Sequence, residues 1–215
     1  MSHTVDSAQY ETPFGEVIAA STVDVAGQCR RGALAPRLGE LIVIESAERC
    51  VAVVSQASST SLDSSRKPSA LGLSPEEMQR RYPQMAYLIR LEFTALLVGW
   101  FHGEGFRAGL PQRPPGLHEE IRLCSEEELR LVGEQPACLR LIYNADSPAP
   151  EELLLAVCRH LLTAYGWREE EARRLGKALA SIYRDDYETL RRVVERLEEW
   201  LKSNPLPSAS SHPDR

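Results

Sequence analysis

The feature that most restricts the fold is a change of hydrophobic period part-way along the chain. Up to about Cys124 the apolar residues come in short runs: Val17-Ile18, Val23 and Val25, Leu41 to Ile44, and Val51 to Val54. Gly, Pro and charged residues separate these runs at the intervals of a small all-β unit. From Ala149 onward the apolar residues instead recur at helical spacing. A β unit followed by helices is therefore expected, and 215 residues with 43% hydrophobic content are enough to give both a buried core.

Within the β part, residues 1–13 are polar and are expected to be flexible. Ala35 to Glu40 reads as a turn leading into a third strand, and Glu45 to Arg49 as the hairpin that returns to Cys50. The polar stretch LDSSRKPSALGL is followed by Ser74-Pro75-Glu76-Glu77, which combines a capping Ser, a Pro at the first helical position and a Glu three residues after the cap. This predicts a short helix inserted at about 74–82, closed by Pro83. Tyr87 to His102 reads as one or two strands, rich in Phe, Val and Trp. Gly103-Glu104-Gly105 forms the turn into a strand from Phe106 to Leu110, and Pro111 to Pro115 an extended connection. Leu117 to Cys124 is the last predicted strand, and Ser125 with Glu128 forms a second capping box, opening a helix through about Val132.

Residues 133–148 read as a linker. Beyond it, 149–203 is expected to form a three-helix domain. Leu154, Val157, Cys158, Leu161, Leu162 and Tyr165 share one face of the first helix, and Ala172, Leu175, Leu179 and Ile182 share one face of the second. Leu190, Val193, Val194, Leu197, Trp200 and Leu201 do so on the third, with Asp185 and Glu188 as its cap pair. The Ser- and Pro-rich stretch 204–215 has little to bury and is expected to be disordered.

A net charge of −6 argues against a dedicated nucleic-acid surface, which needs clustered Lys and Arg to neutralise phosphates. The N-terminus lacks a basic start followed by an apolar run, and no apolar stretch approaches the roughly 18 residues of a membrane span. Cys29, Cys50, Cys124, Cys138 and Cys158 are odd in number and scattered, which suits reduced thiols better than a disulfide framework. A cytoplasmic protein is expected.

Several constellations invite chemistry and fail on spacing. His118-Glu119-Glu120-Ile121-Arg122 begins like a zinc-protease motif but has Arg122 where the second His must stand. Cys158 and His160, two apart on a helix, point in different directions. Asp185-Asp186 at a helix start suits capping and the positive end of the helix dipole. His102 beside Gly103 reads as a surface residue, and Trp100, Phe101 and Trp167 as core anchors. No metal, cofactor or catalytic set emerges. The candidate partner- or anion-binding residues are Arg66, Lys67, Arg80 and Arg81, with Arg30-Arg31 from another loop, provided that they converge.

The order of these segments resembles the HAS-barrel family, the barrel-like domain of HerA and of ATP synthase subunits. The likeness lies in Gly15-Glu16-Val17-Ile18, the second strand to Gln28, Pro36 to Ile42, Val51 to Gln56, and Leu110 to His118. It implies a small antiparallel β-barrel over 14–132, of the kind that serves as a docking or collar domain on an ATPase. A phosphate-binding loop requires GxxxxGK[ST]. The only Gly-Lys pair here is Gly176-Lys177, with Ala178 after it and Glu171 where the first Gly belongs. The resemblance therefore implies a stand-alone barrel without the motor, a non-enzymatic assembly or adaptor protein whose partner is an ATPase ring or a second copy. The rival expectation is a nucleic-acid-processing accessory factor that works with a separate ATPase or nuclease.

Overall fold

Leu41–Ile44 (β3) buries all four of its side chains, so both faces of that strand are covered. In the computed structural model, which describes residues 12–61, 71–164 and 169–204, one cover is the interior of a β-barrel and the other is a layer of helices.

The strands are β1 (Gly15–Ala20), β2 (Asp24–Cys29), β3, β4 (Cys50–Ser61), β5 (Ile89–His102), β6 (Gly105–Ala108) and β7 (Glu120–Leu123). All pairings are antiparallel, in the order β2-β1-β7-β3-β4-β5, and β5 pairs back onto β2 to close a six-stranded barrel. β6 hangs on β5 as a hairpin. Irregularities in β1 at Val17/Ala19 and in β4 at Val51/Ala52 and Val54/Gln56 supply the local coiling that a small closed sheet needs.

Ile42 and Ile44 point into the barrel, where they meet Val17, Val25, Val54, Phe93, Leu97 and Ile121. Leu41 and Val43 point outward with Val51, Val53, Leu96 and Val98, and there they join the core of the helices. Gly27 is required inside the barrel, because a Cβ on it would lie 2.3 Å from the Phe93 ring.

The helices are α1 (Pro75–Arg81), followed by a 3-10 turn (Pro83–Leu88), then α2 (Glu126–Gly133), α3 (Ala137–Asn144), α4 (Pro150–Ala164), α5 (Glu169–Ile182) and α6 (Tyr187–Ser203). Both predicted capping boxes form, at Ser74/Glu77 and Ser125/Glu128. The segment read as a linker holds α3, whose Cys138, Leu139 and Ile142 are buried and which packs on β5. α4 is the central helix, touching α2, α3, α5 and α6. It buries Leu153 and Leu155 as well as the expected Leu154, Val157, Cys158, Leu161 and Leu162, so it is enclosed on more than one face. The cap of α6 is Asp186, which accepts from the Thr189 N–H at 3.0 Å, one residue later than the Asp185 cap read from the sequence. Among the described residues, no helix is long and apolar enough to cross a membrane. All five cysteines are free thiols.

An ionic joint fastens α2 to the barrel. Arg122 on β7 donates from Nη1 and Nη2 to the two carboxylate oxygens of Glu128 at 2.7 and 2.8 Å, and from Nε to Glu45 at 2.7 Å. Arg49 also pairs with Glu128 and lies over the Phe101 ring. Glu128 is at the same time the capping-box residue, accepting the Ser125 N–H at 2.8 Å. Burial alone would push its carboxyl pKa up, but Arg122, the Ser125 N–H and Arg49 together hold it below the usual range.

Glu128→Gln is expected to cost about 2–3 kcal/mol in urea unfolding, somewhat less than the roughly 3–5 kcal/mol of a fully buried broken pair. Glu126→Gln, at an exposed carboxylate 3.9 Å from Arg130, is expected to change stability by less than about 0.5 kcal/mol.

Candidate functional site

The connection from β2 to β3 runs across the seam where helices meet barrel. It turns at Gly32, with φ of 82°, and again at Gly39, with φ of 75°. The Gly39 N–H donates to the Val54 carbonyl at 2.8 Å, and the Val54 N–H donates to the Glu40 carbonyl at 2.9 Å, so this loop extends the β4 ladder. On its other side Gly39 lies against α4, where a Cβ would stand 2.5 Å from that of Ala156. A positive φ and a close approach thus both demand glycine there. The Arg37 N–H donates to Glu40 Oε2 at 2.7 Å, which stiffens the tip.

Two adjoining clefts flank this loop and share Arg37, Glu40 and Leu123. The first, of about 260 Å³, is walled by Cys124, Glu126 and Leu129 on the α2 side and by His160, Thr163 and Ala164 of α4. The second, of about 280 Å³, is more apolar, lined by Phe14, Ala33, Leu34, Ala35 and Pro36. Together they make one groove, polar at the helix end and apolar at the barrel rim. Leu34 stands at its edge with 86% of its surface exposed, the most exposed of the large apolar side chains described.

Burial shifts two of the groove's titratable groups, Cys124 and His160. Burial pushes the Cys124 thiol well up, so no thiolate forms there at neutral pH. Burial also lowers the pKa of His160, although Glu40 and a hydrogen bond donated to the Leu38 carbonyl act in the opposite direction. A neutral His160 thereby ties α4 to the loop. Cys158 is part of the helical core and faces away from the cleft that His160 lines.

Of the basic residues picked out in the sequence, the described ones, Arg30, Arg31, Arg80 and Arg81, do not line this groove. Arg80 and Arg81 are exposed on α1, with Arg80 Nε donating to the Glu76 carbonyl at 3.4 Å. Arg66, Lys67 and Trp167 lie outside the described residues. Arg30 sits on the rim between Glu120 at 2.7 Å and Glu16 at 3.3 Å, so its charge is already matched. Arg122, which displaces the missing zinc ligand of the His118 stretch, is the Glu128 partner described above. The sequence signal for the groove was the run Gly32-Ala33-Leu34-Ala35-Pro36, apolar where a solvated turn is ordinarily polar.

No protein-family model matches this chain, and no curated protein matches it either.

With its folded pKa below the unfolded value near 6.5, His160 contributes nothing above that pH and opposes folding as the pH falls through and beneath it. The unfolded chain takes the proton first. Urea midpoints measured from pH 7.5 to 5 are therefore expected to fall more steeply for the wild type than for His160→Gln, and parallel curves would remove the histidine from this role.

Proposed function

We propose that this protein is a non-enzymatic assembly or adaptor module, in which a HAS-like barrel and the helices packed on it hold a partner segment in the groove along the β2–β3 loop. The observation that carries the reading is the groove itself. It joins an apolar lobe, with Leu34 standing open at its mouth, to a polar lobe bearing Glu40, Glu126 and Thr163. An apolar patch rimmed by polar groups is the usual form of a protein contact site.

The ligand class that fits is an extended polypeptide segment with one bulky apolar side chain for the Phe14, Leu34 and Pro36 lobe. Such an anchor contributes most of the affinity of a small interface, while the surrounding polar groups exclude wrong partners. The closed six-stranded antiparallel barrel supports the family likeness as far as architecture goes. The pairing of Arg30 with Glu16 and Glu120 weighs against the nucleic-acid reading, which needs free cations.

Quantitative recovery of partners from the native cell tests this. Leu34→Asp is expected to lower recovery of a specific partner at least about tenfold, as the loss of one central anchor does. Leu117→Asp, at a residue 61% exposed that does not line the groove, is expected to leave it unchanged. Equal recovery with both variants would refute the groove as the contact.

A further inference from the structure

β4 and β5 run on together past the barrel wall. Their ladder continues through Gln56↔Thr94, Ser58↔Glu92 and Thr60↔Arg90, whereas β3 leaves β4 at the Leu41↔Val53 pair. The loop pairing at Gly39 and Glu40 covers one residue more, Val54. From Gln56 to Thr60 the outer edge of β4 has no strand beside it among the described residues, and all five residues are exposed.

Unpaired edges are ordinarily guarded against strand addition by charge, Pro, bulges or brevity. Among the described residues, two other free edges follow that rule. β6 is four residues long and carries Arg107, and the free start of β5 carries Arg90. β4 does not: past its irregularity at Val54/Gln56 it keeps an unbroken register with β5 to Ser61, and over its twelve residues, CVAVVSQASSTS, there is no charged residue and no Pro.

We propose that Gln56 to Thr60 is a self-association edge, on which β4 of a second copy pairs antiparallel about a two-fold axis to give the strand order β5-β4-β4-β5 across the two chains. A second copy is the fitting occupant because a neutral Ser/Thr edge set against itself brings no like charges together. A charged partner strand, by contrast, would find nothing on this edge to complement it. Five residues at about 3.4 Å each make a contact only about 17 Å long, short of the roughly 1,200–2,000 Å² interfaces of stable complexes. The dimer is therefore reversible and concentration-dependent. This surface is separate from the groove, and either can fail without the other.

Sedimentation of the full chain over about 5 to 500 µM, the range in which so small an interface would dissociate, is expected to show the average mass rising above the 24.0 kDa of the monomer. Amide exchange at Gln56 to Thr60 should slow in step. Ser59→Lys alone and Ser59→Glu alone are each expected to stay monomeric, through repulsion between like charges near the axis, while an equal mixture of the two regains association. That rescue separates loss of pairing from loss of folding. A mass constant at 24.0 kDa throughout would overturn the proposal. So would a dimer that survives Ser59→Lys, or one that Ala108→Lys on β6 abolishes in its place.

Discussion

The structure depends on the burial of β3, β4 and β5 on both faces. In an ordinary small barrel the outer face is wet and its strands alternate between apolar and polar. Here Leu41, Val43, Val51, Val53, Leu96 and Val98 form an outer apolar face as dry as the inner one. Exposing it would forfeit about 1.5–3 kcal/mol for each of these side chains, a sum comparable with the whole stability of a domain. The helices are therefore a necessary second wall, and the core they complete runs without a break from Val43 to Val193 of α6.

The groove follows from how that wall is attached. Helices cover the β3–β5 side closely, with α3 on β5 and α2 on β6. They are fastened at two points of different chemistry. Glu128 links α2 to Arg122 and Arg49 by charge, and Gly39 lets α4 approach the loop as only a glycine can. Between these fastenings the cover is incomplete, and the loop from Ala33 to Glu40 spans what remains open. A site at the boundary of two packed layers inherits a rigid floor from one and a polar rim from the ends of the other.

Much of this was legible in the sequence, for identifiable reasons. LIVI and CVAVV announce buried strands by composition, and the two Ser-x-x-Glu boxes fix helix starts to the residue because their hydrogen bonds are local. What stayed hidden depends on distant partners. α3 is eight residues long and follows Pro136, too short for a period to declare itself, and it is helical because β5 gives Cys138, Leu139 and Ile142 a surface. The polar end of β4, SQASSTS, has no strand signature of its own and is extended because β5 pairs with it. The groove was hidden for the same reason, since Leu34 and His160 are far apart in sequence and converge only when α4 docks on the loop.

Native-state hydrogen exchange at increasing urea addresses the shared core most directly. The slowest amides of Val43, Val53 and Leu97 in the barrel and of Leu154 and Leu161 in α4 are to be followed together. If one core holds both layers, all five open in a single cooperative event, with the same free energy and the same dependence on urea. Exchange of the α4 amides through a lower-energy opening, with the barrel amides still protected, would mean that the barrel stands without its helical wall.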